Sequence, residues 1–160
     1  MAADLDKVSL IARREIEARI VAPLLDAFAA DLGREAALAR LGGVIAQIAF
    51  ASGQEMAAKS HETTVAALDT VVRLWGYDRA MEIETLAHNN DRYEFNVRRC
   101  AYAEMYAELG LRELGLTLSC QRDFAFFRGF NPRLRLERSQ TIMQGAPHCD
   151  FRFSLRKEGE

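Results

Sequence analysis

A chain of 160 residues, 49% apolar and 28% charged, has the length and composition of a folded globular domain, which excludes an intrinsically disordered segment. Its formal net charge of -2, with acids and bases interspersed, gives no bulk field to recruit nucleic acid or an anionic membrane. No stretch reads as a bilayer span, and no basic region leads into an apolar run at the N-terminus, so neither a membrane anchor nor a secretory leader is expected.

Residues 6–32 carry apolar side chains at helical spacing (Val8, Ile11, Ile16, Ile20, Leu24, Phe28), with Arg13, Arg14, Glu17 and Arg19 on the other face. Pro23 inside that pattern predicts a kink or a break, and Gly33 a stop. A second helix is expected over residues 34–59. Gly42 and Gly43 lower its propensity, which predicts either a break or the close approach of a neighbouring helix, and the small residues of 46–58 favour tight packing. A third helix is expected over 62–75, begun near a solvated His61 and ended by Gly76.

The period then changes to two. Residues 81–87 and 92–98 alternate around the Asn/Asp-rich turn 88–91, which reads as a β-hairpin with His88 solvated in its turn. A short helix follows over 101–109, capped by Gly110. Residues 111–129 read as a turn and another helix that sets Cys120, Asp123, Phe124 and Phe127 on one side, although 124–127 could instead form a strand. Two more strands are expected, over 133–143 and 149–155, joined by a Gly/Pro loop.

This closing pair concentrates the polar anomalies. Alternation puts Leu134, Leu136, Arg138, Gln140 and Ile142 on one face of the first strand, with Ser139 and Thr141 opposite. It sets Cys149, Phe151, Phe153 and Leu155 together on the second, with Asp150 pointing away. An Arg and a Gln at core-facing positions beside a thiol suggest a lined pocket, because buried polar groups must be satisfied. Arg138 would favour the thiolate of Cys149. A carboxylate among aromatics, Asp123 one helical turn from Cys120, could serve as a general acid or base with a raised pKa. The alternatives are that Arg138 snorkels to water, that Cys149 merely packs, and that Asp123 is a surface or capping residue. His148 adjoins Cys149 but should face the other way.

Cys100, Cys120 and Cys149 are odd in number and widely spaced, a poor disulfide framework that points to a reducing, cytoplasmic setting. No short metal-ligand spacing occurs, so no metal is assigned. A zinc site from the three cysteines, with Asp123 as fourth ligand, remains geometrically possible.

The run from Arg99-Cys100-Ala101-Tyr102 through Ser119-Cys120-Gln121-Arg122-Asp123 and Arg138-Ser139-Gln140-Thr141 to Gly145-Ala146-Pro147-His148-Cys149-Asp150-Phe151 resembles the L-2-amino-thiazoline-4-carboxylic acid hydrolase family. These motifs lie in the C-terminal two fifths of the chain, and the helical first half offers none. The Gly-x-x-x-Cys ending also resembles vinyl-reductase-type sensor domains. Their second cysteine before the glycine is missing, which argues against a zinc of that kind. The family resemblance implies hydrolytic opening of a 2-aminothiazoline-type cyclic amidine to an N-carbamoyl amino acid. Cys149 or Cys120 would attack, or Asp123 would activate water, while Arg138, Gln140 and Thr141 bind substrate. The alternative is a non-catalytic small-molecule-binding or sensor domain.

The expected architecture is one α+β domain over 1–160, helical over 1–78 and α+β over 79–160. N-terminal helices pack on an antiparallel sheet of two hairpins with intervening helices. No cofactor is implied. The expected partner is a small-molecule substrate, with neither nucleic acid nor membrane, and the apolar N-terminal helices could join copies of the chain into a homo-oligomer.

Overall fold

The computed structural model describes residues 7–156. The expected start of the first helix at Asp6 lies outside them. The order of elements is α1 (Leu10–Leu32), α2 (Arg34–Lys59), α3 (Leu68–Trp75), β1 (Met81–His88), β2 (Arg92–Cys100), α4 (Ala101–Glu108), α5 (Arg112–Gly115), a π-helical turn (Leu116–Cys120), α6 (Arg122–Phe130), β3 (Leu134–Glu137), a short 3-10 turn (Ile142–Gln144) and β4 (Cys149–Leu155). The expected α+β class holds: helices accompany a four-stranded antiparallel sheet in the order β1-β2-β4-β3.

Local chemistry explains most boundaries. The Ser9 hydroxyl accepts from the Ala12 amide and caps α1. α1 runs unbroken through Pro23, since the carbonyl that proline leaves unpaired lies one turn back on the exposed stretch around Arg19 and Ile20. Gly33, at φ 82°, makes the left-handed corner between α1 and α2. α3 begins later than its periodicity suggests. Residues 64–67 form a turn instead, in which the Thr64 hydroxyl accepts from Ala67 N and Asn131 donates to the Thr63 carbonyl. The first hairpin is as expected, with the Asn89 side chain accepting from the amides of Asp91 and Arg92. His88 is not a free turn residue. It is exposed, as expected, but it ends β1, bonds the Ala66 carbonyl at 3.1 Å and packs at a tilt against the Tyr93 ring. Residues 124–127 are helical, not extended.

The inner face of the sheet carries Tyr93, Phe95 and Val97 from β2 and Cys149, Phe151 and Phe153 from β4. Register places Phe95 beside Phe151, their rings stacked with centroids 4.8 Å apart. Leu68, Val71 and Val72 of α3 and Phe127 and Phe130 of α6 cover this face, with Phe127 edge-on to Phe153 at 4.5 Å. A second core lies among the helices, where Ala18 and Leu25 of α1 and Ala37 and Ile45 of α2 meet Tyr106, Leu114, Leu118 and Met143.

α2 and α6 cross in backbone contact. A Cβ on Gly53 would lie 2.0 Å from the Phe126 carbonyl oxygen, and one on Gly129 would lie 2.1 Å from that of Phe50. Backbone stands where those methyls would go. The close approach expected at Gly42 and Gly43 is absent: the nearest atom to a Cβ at Gly42 is 3.8 Å away, and nothing lies within 4 Å at Gly43. The expectation that no stretch is long and apolar enough to cross a membrane fails at α2, which meets both criteria. Its alanines, with Leu38, Leu41, Val44, Ile45, Ile48 and Phe50, raise the mean hydropathy, and Ala37, Ile45, Ala49 and Gly53 are buried in helix packing.

Gly129→Ala and Gly53→Ala should therefore each destabilise the fold by at least the ~1–3 kcal/mol typical of overpacking, because the obstruction is backbone. Gly43→Ala should be neutral or slightly stabilising through helix propensity. Urea unfolding midpoints of the three variants check this.

Candidate functional site

The strand expected over 133–143 ends at Glu137. From Arg138 the chain leaves the sheet, and two sets of polar contacts account for the departure. Inward, the Arg138 side chain is only 4% exposed and its Nη1 donates to Asp123 Oδ2 at 2.6 Å. Its Nη2 donates to the Cys120 carbonyl, also at 2.6 Å, and its guanidinium lies over the rings of Phe124 and Phe151, 5.0 Å from each centroid. A planar, weakly hydrated cation suits such a place, where carboxylate, carbonyl and two π faces replace water. Arg138 does not snorkel.

On the other face of β4, Asp150 accepts from the backbone amides of Ser139 and Gln140 at 3.0 and 2.9 Å and from the Ser139 hydroxyl at 2.7 Å. Partial burial pushes the Asp150 carboxyl up, but these hydrogen bonds outweigh it and hold the group below the usual carboxylate range. Asp150 thus points away from Cys149, as alternation requires, and fastens the loop from outside. Further along, the Gln140 side chain donates to the His148 carbonyl at 3.0 Å. Thr141 caps the 3-10 turn by accepting from Gln144 N, and the Ile142 amide donates to Cys149 Sγ at 3.2 Å.

The result is a pocket of about 210 Å³, walled by Arg138, Ser139, Gln140 and Thr141 on one side and by Gln121 and Phe124 on the other, with Leu116 and Gln144 completing it. Of the residues singled out from sequence, Arg138, Gln140 and Thr141 come together here. Strand alternation sets Thr141 opposite the other two, but once the chain leaves the sheet, alternation no longer applies. Cys149, Cys120 and Asp123 are not part of the lining, although Asp123 is bonded to Arg138, which is. Leu116, Gln121, Phe124, Ser139 and Gln144 also line it and are not among the site residues expected from sequence. A signal exists for Phe124, which shares a helical face with Cys120.

Electrostatics separates the candidate reactive groups. Burial pushes the Cys149 thiol up, and neither the Ile142 amide nor the charge of Arg138 offsets it. Arg138 does lower the Cys149 pKa, but the expectation of a favoured thiolate is reversed on balance. Burial also raises Cys120 strongly and Cys100 to about 11. The three thiols share one neighbourhood, yet among the described residues no three His, Cys, Asp or Glu side chains are placed to hold a metal ion, which counts against a zinc assembled from these cysteines and Asp123. Asp123 differs. Burial pushes its carboxyl up to about 6, against the charge and hydrogen bond of Arg138. His148 Nδ1 is buried without a partner, alone in this among the described side-chain polar atoms.

These features define an α+β protein with a small polar pocket backed by a buried Arg–Asp pair. The chain belongs to the L-2-amino-thiazoline-4-carboxylic acid hydrolase family, whose model matches residues 13–153. The relationship therefore reaches through the N-terminal helices as well as the C-terminal motifs. No curated protein matches the sequence. Among solved structures, the phenol-responsive sensory domain of the transcription activator PoxR, with phenol, is similar at 14% identity and a TM-score of 0.44. That match covers 91% of this chain and 72% of the other, a likeness too distant to carry an argument.

Two outcomes are expected. Arg138→Met should cost about 3–5 kcal/mol, the penalty for leaving a buried carboxylate unpaired; denaturant unfolding measures it. The pH dependence has a definite sign. Asp123 titrates at about 6 when folded and at about 3.9 when unfolded, so the folded state holds the proton more tightly between those values. Its contribution to stability declines as pH rises from about 4 to about 6 and is level above. Asp123→Asn removes that slope, so the wild type should lose ground to the variant across this window when unfolding midpoints are compared.

Proposed function

We propose that this protein hydrolyses a small cyclic amidine bearing a carboxylate, of the 2-aminothiazoline type, in the pocket beside Arg138. Membership of the hydrolase family supports the reaction class. The single observation that carries the assignment to this pocket is the convergence of Arg138, Gln140 and Thr141 on one polar pocket of about 210 Å³, smaller than the roughly 300–1,000 Å³ of drug-sized sites and suited to a ligand as small as one ring. A guanidinium has five N–H donors, and Asp123 and Cys120 engage two of its nitrogens. The remaining donors are offered to the substrate carboxylate. Gln140 and Thr141, with Gln121 and Gln144 nearby, supply amide and hydroxyl partners for the ring nitrogen and the exocyclic amine.

The reaction needs an oxygen nucleophile at the carbon between sulfur and nitrogen. Water adds there, the C=N electrons move to the ring nitrogen, and that nitrogen takes the proton the water loses. The carbon–sulfur bond then breaks with its electron pair on sulfur. The hydroxyl on carbon becomes the carbonyl, and its proton goes to sulfur. One water is consumed, and the product is an N-carbamoyl amino acid with a free thiol. Asp123 is assigned both proton transfers, since a carboxyl titrating at about 6 accepts and returns a proton at neutral pH. Asp123 stands behind Arg138 and outside the lining, so this role requires a water between its carboxyl and the ring. Cys149 and Cys120, whose thiols burial keeps protonated, are the less favoured nucleophiles.

The test is incubation with 2-aminothiazoline-4-carboxylate, following thiol release with a chromogenic thiol reagent and the carbamoyl product by mass spectrometry. The wild type should turn over. Asp123→Asn should lower kcat roughly 100-fold or more, Arg138→Lys should chiefly raise KM, and Cys149→Ala should retain most activity. A Cys149→Ala variant without turnover would restore the thiol as nucleophile. Binding of the compound without turnover would leave a ligand-binding domain, not an enzyme.

A further inference from the structure

The exposed side of α1 carries a row of large apolar side chains beside the charged Arg19, Asp26 and Asp31. Ile16, Ile20, Leu24, Phe28 and Leu32 recur at every fourth residue and are 43–59% exposed. Val44 and Ile48 of α2, at 53% and 50%, add to the exposed apolar surface of the N-terminal helices. We propose that this ridge of α1 is the contact surface for a second copy of the same chain, crossing its twin at Leu24.

Three observations select that partner. The first is area. Taking roughly 200 Å² for each large side chain when bare, the five residues of the ridge leave on the order of 500 Å² exposed, at the upper end of what a monomer shows to water. Two copies would together bury roughly 1,000 Å² before α2 is counted, the threshold for a specific interface.

The second is self-complementarity. The ridge is evenly spaced about Leu24, so a two-fold axis there sets Leu24 on its own copy and Ile20 against Phe28. The third is helix polarity. The first half of α1 carries Arg13, Arg14 and Arg19 against Glu15 and Glu17, while the second half carries only Asp26 and Asp31. Most of these charges are paired within the chain, Arg14 with Glu17, Arg19 with Glu15 and Asp26 with Arg34, so the antiparallel sense rests on the opposed helix dipoles. A membrane surface fits less well. A helix lying in anionic lipid needs an excess of Lys and Arg on its polar face, and α1 has three basic residues against four acidic ones.

Sedimentation equilibrium of the full chain should give twice the 18.0 kDa monomer mass, and Leu24→Glu should weaken association roughly 30-fold or more, as the loss of a central hot spot does, with an unchanged far-UV circular dichroism spectrum. Should that variant misfold, Leu24→Cys supplies an independent reading. Mild oxidation with copper phenanthroline should link it to itself across the axis, whereas Ile16→Cys and the wild type should stay unlinked. A wild type that remains monomeric to about 100 μM would overturn the proposal; so would a dimer indifferent to Leu24→Glu in which Leu24→Cys fails to link. Co-sedimentation with phosphatidylserine vesicles in place of self-association would overturn it too, and assign the ridge to lipid.

Discussion

The burial of one guanidinium organises this molecule around its pocket. A charge at 4% exposure is tolerable only where every direction offers compensation. Arg138 has a carboxylate, a main-chain carbonyl and two aromatic faces. These come from three places: Asp123 and Phe124 from α6, Cys120 from the π-helical turn, and Phe151 from β4. Holding the arginine therefore fixes the sheet relative to α6.

The position of α6 is set from the other side by the crossing at Gly53 and Gly129. Without a Cβ at either glycine the two backbones approach until each faces a carbonyl of the other. α6 is thus held by backbone contact on one flank and by the Arg138 pair on the other. Phe127 fills the sheet core from the same helix, so helix, sheet and pocket wall are positioned together. The family relationship extending over residues 13–153 is consistent with that mechanical unity, because α2 is needed to place the helix that carries Asp123.

Much of the architecture is legible in the sequence because it depends on period and punctuation. The helices at 34–59 and 101–108, the hairpin at 81–100 and the last strand each follow from spacing and from turn residues. The errors have a common cause. The paired glycines at 42 and 43 attract attention, but a close crossing depends on where two helices meet in space, and it falls at the lone Gly53 and Gly129. Likewise the strand expected through Met143 stops at Glu137, where long-range bonds from Asp123 and Asp150 override strand geometry, and alternation misplaces Thr141, which lines the pocket with Arg138 and Gln140. The anomaly itself, an Arg and a Gln where apolar residues are due, does mark the pocket. The sign of the thiol shifts is not legible, because the extent of burial around Cys149 and Cys120 depends on the packed structure, whereas the attraction of a nearby arginine can be guessed from sequence.

β4 shows how one strand governs both sides of the site. Adjacent residues point to opposite faces, so Cys149 turns inward and accepts the Ile142 amide while Asp150 turns outward and accepts those of Ser139 and Gln140. The loop carrying Arg138, Gln140 and Thr141 is consequently pinned at both ends of its span to neighbouring residues of a single strand. The Cys-Asp pair of the motif therefore need not be reactive to matter. A weakly acidic buried thiol is a poor nucleophile but a satisfactory hydrogen-bond acceptor for an amide, and a carboxylate held below its usual pKa stays charged and keeps its three bonds. The chemistry of the site then belongs to the residues the loop presents, and the pair fixes where they stand.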